Sequence, residues 1–267
     1  MVWKAEINLF LIAVSFFTRL PVTRWVDFQE HYLNQAARYF PWVGWVIGAL
    51  TAIALLLFGQ IFPMTLAVLL STGLGILLTG AFHEDGFADT CDGMGGGWTK
   101  VQVLTIMKDS RLGTYGATGL FFMLGLKCVA LASLPLEVAA IALLFGHVVS
   151  RYVATTLLRT MVYVQDIDKS KSKPLATQLS DRALVIATLS LTPLLLLLPL
   201  LMPMLPVSPV STSAGNLVLA LLLVCGGLWW LASAYFKHRI GGYTGDCLGA
   251  LQQVSEVAVY LVLLIWL

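Results

Sequence analysis

Long apolar stretches separated by short polar connections run through this chain from end to end. A segment needs about 20 mostly apolar residues to cross the hydrocarbon core of a bilayer. Seven stretches reach or approach that length: 40–62, 64–82, 115–134, 137–159, 183–205, 216–236 and 251–267. The shorter run 7–17 reads as a re-entrant or interfacial helix. Lys4 ahead of it suits a signal peptide, but Thr18-Arg19-Leu20-Pro21 follows where a cleavable signal has small residues. Stretch 183–205 carries Pro193, Pro199 and Pro203 and is expected to kink, with neighbouring helices compensating for the lost hydrogen bonds. The pattern predicts an all-α integral membrane protein. It is one domain over 1–267, a polytopic helical bundle of about seven transmembrane helices plus the short N-terminal helix.

Lysines and arginines fall on alternate connections. One set holds Arg19, Arg24 and Arg38, then Lys100, Lys108 and Arg111, then Lys169, Lys171, Lys173 and Arg182, and last Lys237 and Arg239. The other set, the turns at Pro63 and Pro135 and the loop 206–215, holds none. The positive-inside rule places the charged connections in the cytoplasm. The opposite face has little material for chemistry, so function is expected at the cytoplasmic surface or just beneath it.

Composition narrows the class. Of 267 residues, 58% are hydrophobic and 11% charged, against about 25% charged in soluble domains. The mean hydropathy is +0.86, which excludes a disordered chain. A net charge of +2 is too small for a nucleic-acid partner. Cys91, Cys128, Cys225 and Cys247 are scattered, which argues against a zinc site or a disulfide scaffold. No internal repeat is visible, which weakens an inverted-repeat transporter.

The chemistry concentrates in His83-Glu84-Asp85-Gly86-Phe87-Ala88-Asp89-Thr90-Cys91-Asp92-Gly93. On a helix, Asp85, Asp89 and Asp92 are spaced i, i+4, i+7 and share one face. Like charges so stacked repel unless a cation neutralises them. All-oxygen ligation points to Mg²⁺ or Mn²⁺, and magnesium completes its shell with substrate phosphates and water. These aspartates are therefore the expected metal ligands and catalytic groups of a phosphoryl transfer. A solvated acidic loop is the plainer alternative, but such loops do not usually hold helical spacing or end in a glycine run.

Gly93-Met94-Gly95-Gly96-Gly97 matches no phosphate-loop pattern and reads first as a linker or helix cap, with a phosphate nest still open. Lys108 and Arg111 stand where cations can bind a pyrophosphate, although membrane anchoring explains them as well. Asp109 is either a further ligand or the partner of Arg111. Lys127, His147 and Arg151 lie within spans, where an ionisable residue is a functional candidate; Lys127 stays unassigned. Gly241-Gly242-Tyr243-Thr244-Gly245-Asp246 reads as a glycine-rich turn whose Asp246 is placed to reach a metal or a substrate hydroxyl.

Together, Gly80-x-Phe82-His83-x-Asp85-Gly86-x-Ala88-Asp89-Thr90-x-Asp92-Gly93 and Ile106-Met107-x-Asp109-Ser110-Arg111-x-Gly113 resemble the cobalamin synthase family, the membrane-bound adenosylcobinamide-GDP ribazoletransferases. The likeness extends to Phe17-Thr18-Arg19-Leu20-Pro21, Ser150-Arg151 and Gly242-x-Thr244-Gly245-Asp246-x-Leu248-Gly249-Ala250. Glu84 departs from the family pattern, which has an apolar residue there. The resemblance implies a magnesium-dependent transferase of a bacterial inner membrane, late in cobalamin synthesis. A hydroxyl of α-ribazole, or of its 5′-phosphate, attacks adenosylcobinamide-GDP and expels GMP. Asp85, Asp89 and Asp92 would hold the metal, and Arg19, Lys108, Arg111, Arg151 and Asp246 the substrates. The partners so implied are these two substrates and the lipid bilayer, and a homo-oligomer stays open.

Two rivals fit less well. A CDP-alcohol phosphotransferase shares Asp89-x-x-Asp92-Gly93, but Gly96-Gly97 stands where Ala-Arg is expected and no GxxxDxxxD follows. A cation-binding transporter would place carboxylates at the bilayer midplane, whereas these cluster at a span end.

Overall fold

The structure, a computed structural model, describes residues 2–164, 176–201, 203 and 214–266. Lys169, Lys171 and Lys173 of the third charged connection, and nearly all of the uncharged loop 206–215, lie outside the described residues. So do parts of the stretch 183–205.

Twelve α-helices follow one another among the described residues: α1 (Val2–Phe17), α2 (Tyr32–Ala36), α3 (Phe40–Gly59), α4 (Met64–Thr79), α5 (Phe82–Gly96), α6 (Lys100–Met107), α7 (Thr114–Ala132), α8 (Leu136–Thr160), α9 (Asp181–Leu189), α10 (Thr192–Leu201), α11 (Ala214–Ile240) and α12 (Gly245–Ile265). Local chemistry sets many of their ends. Pro63 and Pro135 precede the first residues of α4 and α8, where a missing N–H costs nothing. Thr99, Ser180 and Thr244 cap α6, α9 and α12 by accepting a backbone N–H of the first turn.

Six segments are long and apolar enough to cross a membrane: 32–59, α7, α8, 181–198, α11 and α12. The run 64–82, expected as one span, is instead α4 alone, which covers 16 residues. At 1.5 Å per residue that is about 24 Å, short of a hydrocarbon core of about 30 Å. The chain then bends by 88° into α5. The bend rests on two successive left-handed residues, Gly80 (φ 65°) and Ala81 (φ 58°). Gly80 has a second constraint, because a Cβ there would meet the Arg19 guanidinium. The pair α4–α5 is thus a broken span or a re-entrant hairpin, and counting it as one span brings the total to seven.

The N-terminal helix begins earlier than the run 7–17 suggests, at Val2, yet at 16 residues it too is short for a span. Glu6 ties it to the turn just before α3 through Arg38 (3.2 Å) and the Tyr39 hydroxyl (2.7 Å). The proline-bearing stretch divides at Ser190–Leu191, and Pro193 sits at the second position of α10. Indole N–H groups of Trp42 and Trp45 donate to the carbonyls of Ile186 (3.2 Å) and Ser190 (2.9 Å) at that break. A neighbouring helix thereby satisfies groups that lipid cannot.

Helix α8 is the axis of the bundle, packed along both α3 and α12. Of its most apolar stretch 78% is buried, against 17% for α11. Helix α11 lies at the periphery with Leu219, Leu222, Leu223, Trp230 and Leu231 facing outward, as lipid contact requires. The acidic helix α5 lies inside, between α12 and α7.

Candidate active site

A cavity of about 340 Å³ opens at one end of the bundle. Its walls come from the end of α1, the start of α3, the acidic helix α5, the segment after α6, the last turns of α8 and the first turns of α12. These are the helix ends joined by the described Lys- and Arg-bearing connections. The uncharged turns at Pro63 and Pro135 contribute nothing to it.

Asp85 and Asp89 line this cavity, one turn apart on α5, together with Lys108, Ser110, Arg151, Tyr163 and Asp246. Asp246 reaches them because α5 and α12 nearly touch. A Cβ on Gly86 would lie 3.1 Å from the Asp246 Cα, and one on Gly249 would lie 3.1 Å from the His83 carbonyl. Small residues at such a crossing let two helix backbones approach closely. Burial, and then the nearby Asp246 carboxylate, push the Tyr163 phenol up to about 12, so it stays protonated at neutral pH.

Three residues nominated from the sequence stand elsewhere. Asp92 is buried, and its two carboxylate oxygens accept the backbone N–H groups of Gly113 (2.7 Å) and Gly116 (2.8 Å). These are the cap and third positions of α7, so Asp92 satisfies the orphan donors of that helix and complements its dipole. The i, i+7 spacing does put Asp92 near the face of Asp85, but α7 lies over that end of the face. Arg111 is exposed, and its guanidinium is held by Asp109 (Nη2–Oδ2 2.6 Å), which raises its pKa. Asp109 is thus the partner of Arg111. Arg19 is exposed beside Gly80 at the α4–α5 bend. Neither arginine lines the cavity.

The glycine run is not a nest of N–H groups. Gly93 to Gly96 finish α5, and Arg239 Nη2 donates to the carbonyls of Met94 (3.0 Å) and Gly97 (2.5 Å) at its C-terminus. A cation there suits the negative end of the helix.

Beneath the cavity lies a buried polar layer that sequence reasoning left mostly unread. Glu256 on α12 takes Lys127 Nζ of α7 at 2.8 Å, the Tyr260 hydroxyl at 2.8 Å, Gln252 Nε2 at 2.5 Å and His147 Nδ1 at 3.4 Å. Gln252 Nε2 also donates to Ser150 Oγ at 3.0 Å. Glu84, read as an odd carboxylate, is buried and accepts from Gln253 Nε2 at 3.1 Å. Arg151 donates Nη1 to the His147 carbonyl at 3.0 Å, while its Nε has no partner among the described residues. Two buried carboxylates therefore offset two buried cations, as a low-dielectric interior demands. A lone glutamate in the last span and a lone lysine in α7 were the legible signal for this layer.

The donor set suits a hard, oxygen-loving cation. Among the described residues no three His, Cys, Asp or Glu side chains come together as a ready-made metal cage. Two protein carboxylates, here Asp85 and Asp89, are what magnesium typically takes when substrate phosphates and water fill the remaining positions. Arg151 lines the cavity, and its guanidinium is suited to a phosphate.

Comparison with known proteins identifies a family over nearly the whole chain. The family described as Cobalamin-5-phosphate synthase matches residues 9–264. A protein named adenosylcobinamide-GDP ribazoletransferase from Shewanella sp. (strain W3-18-1) is 47% identical over 266 residues, 98% of this chain and 96% of that protein. Proteins of the same name from Shewanella oneidensis and Shewanella baltica (strain OS185) are 47% and 45% identical over the same share. No solved structure matches the chain. With its multiple apolar spans and a family match over almost its whole length, the chain belongs to the cobalamin-5-phosphate synthase family, the enzymes of cobalamin synthesis that its ribazoletransferase relatives represent.

Proposed function

We propose that this enzyme joins α-ribazole, or its 5′-phosphate, to adenosylcobinamide-GDP. The substrate hydroxyl oxygen forms a bond to the cobinamide-linked phosphorus, the bond from that phosphorus to the oxygen of GMP breaks, and the hydroxyl proton is lost. The products are adenosylcobalamin, or its 5′-phosphate, and GMP. The observation that carries this reading is the convergence of Asp85, Asp89, Lys108 and Arg151 on one cavity.

Asp85 and Asp89 would hold Mg²⁺, which supplies charge neutralisation on a pyrophosphate when bound. Lys108 and Arg151 bind phosphate oxygens and stabilise the charge that develops on departing GMP. Asp246, in the first turn of α12, orients a substrate hydroxyl. No nucleophilic side chain is needed, because phosphoryl transfer depends mainly on positioning and electrostatics. The cavity faces the cytoplasm of a bacterial inner membrane, a placement supported by the charged connections around it.

The test is release of GMP from adenosylcobinamide-GDP by purified protein in detergent. Asp85→Ala and Asp89→Ala are expected to abolish release while the proteins keep wild-type melting behaviour. Wild-type turnover by either variant at limiting Mg²⁺ would remove the metal assignment.

A further inference from the structure

One wall of the cavity is not explained by phosphate chemistry. Phe16 and Phe17 of α1, Phe40 of α3 and Phe82 of α5 all line it. Their rings form an interlocked array with Phe17 at the hub. Its centroid lies 4.7 Å from Phe40, 5.5 Å from Phe82 and 5.1 Å from Phe16, each at 81° to 86°. Phe16 and Phe82 meet at 5.2 Å and 73°. The His83 ring lies nearly parallel to Phe17, at 14° and 5.6 Å. Aromatic pairs prefer edge-to-face or offset-stacked arrangements, and a further flat aromatic group at this wall can adopt either one. Phe82 keeps 38% of its surface exposed although it stands at the start of a largely buried helix.

We propose that this phenyl wall is the subsite for the flat aromatic base of the hydroxyl-bearing substrate. The inference rests on the function proposed above and names where one of its two substrates sits. Three physical points support it. The cavity, about 340 Å³, is at the small end of ligand pockets, which run from about 300 to 1,000 Å³, so it takes a nucleoside-sized group and leaves a corrin outside. The base of a ribazole is a methylated benzimidazole with no hydrogen-bond donor on its ring, whereas guanine carries donors and acceptors along one edge. Phenyl groups would leave that guanine edge unpaired, at the cost of its desolvation. Spacing is the third point. Phe82 precedes Asp85 by three residues and Asp89 by seven on one helix, a rise of about 5 to 10 Å. A base seated on the wall thus directs its ribose toward the two carboxylates.

Phe17 and Phe40 are buried in the core, and shortening them risks the fold, so the test uses Phe82→Leu and Phe16→Leu. Equilibrium dialysis of α-ribazole against the full-length protein in detergent reads the subsite without turnover. Each variant is expected to bind α-ribazole about tenfold more weakly, the loss of one aromatic contact, with wild-type melting behaviour. In turnover, KM for α-ribazole rises by the same factor while KM for adenosylcobinamide-GDP does not move. The wild type is expected to prefer the dimethylated base to unsubstituted benzimidazole riboside, and Phe82→Leu to lose that preference. Unchanged ribazole binding in both variants, or a rise confined to KM for adenosylcobinamide-GDP, would overturn the assignment. Phenylalanine-dependent ribazole binding by a wild-type protein that releases no GMP would keep the subsite and discard the transfer reaction instead.

Discussion

Two aspartates seven residues apart illustrate how burial separates residues of one type. Asp85 is exposed to the cavity, and Asp92 is buried under the first turn of α7. A carboxylate whose two oxygens each accept a backbone N–H is oriented by the protein rather than left free for a ligand. Asp92→Ala leaves the N–H groups of Gly113 and Gly116 without their partner, at about 1 to 3 kcal/mol for each. We expect this variant to melt well below the wild type in detergent, whereas Asp85→Ala melts like the wild type and loses turnover. Equal melting of Asp92→Ala and wild type, with activity gone, would return Asp92 to the metal set. Both aspartates were legible as carboxylates on one helix face. Their different duties were not, because the partner of Asp92 is backbone more than twenty residues away, and neither glycine has a side chain to announce the contact.

Helices here are held together by contacts that lipid makes expensive to omit. The tie between α7 and α12 is the Lys127–Glu256 pair, buried on both sides. Removing one partner of such a pair leaves an uncompensated charge and costs about 3 to 5 kcal/mol, whereas replacing both is often neutral. Glu256→Gln and Lys127→Met are each expected to lower the yield and melting temperature of detergent-solubilised protein. The double variant should recover most of that loss, and additive losses would mean that the two groups do not act as a pair. The α5–α12 crossing at Gly86 and Gly249 works differently, through close backbone approach. It carries Asp246 into the cavity, and so links a glycine-rich motif near the C-terminus to carboxylates near the middle of the chain.

On the scale of the whole molecule, the cavity and the described charged connections share one end of the bundle. The reading of that end as cytoplasmic is testable with single cysteines on a cysteine-free background. Trp98, 90% exposed between α5 and α6, marks the charged side, and Ser133, exposed between α7 and α8, marks the other. In intact cells an impermeant thiol reagent is expected to label a cysteine at Ser133 and not one at Trp98. The reverse pattern would invert the protein in the membrane.

The membrane class, the positions of most of the spans and the i, i+4 carboxylate pair followed from the sequence by itself. Hydropathy and helical periodicity are properties of neighbouring residues, and a bilayer permits few structures besides helices. Tertiary structure alone decided which charged groups share a cavity. It turned the run 64–82 through 88° at Gly80 and Ala81 and placed α5 inside the bundle. It joined Lys127 to Glu256 and Glu84 to Gln253, each pair drawn from helices far apart in the chain. It also assembled four phenyl rings from three helices into one wall. Apart from the local bend, these outcomes depend on how closely helices remote in sequence approach, and that distance is set by packing, which no local pattern records.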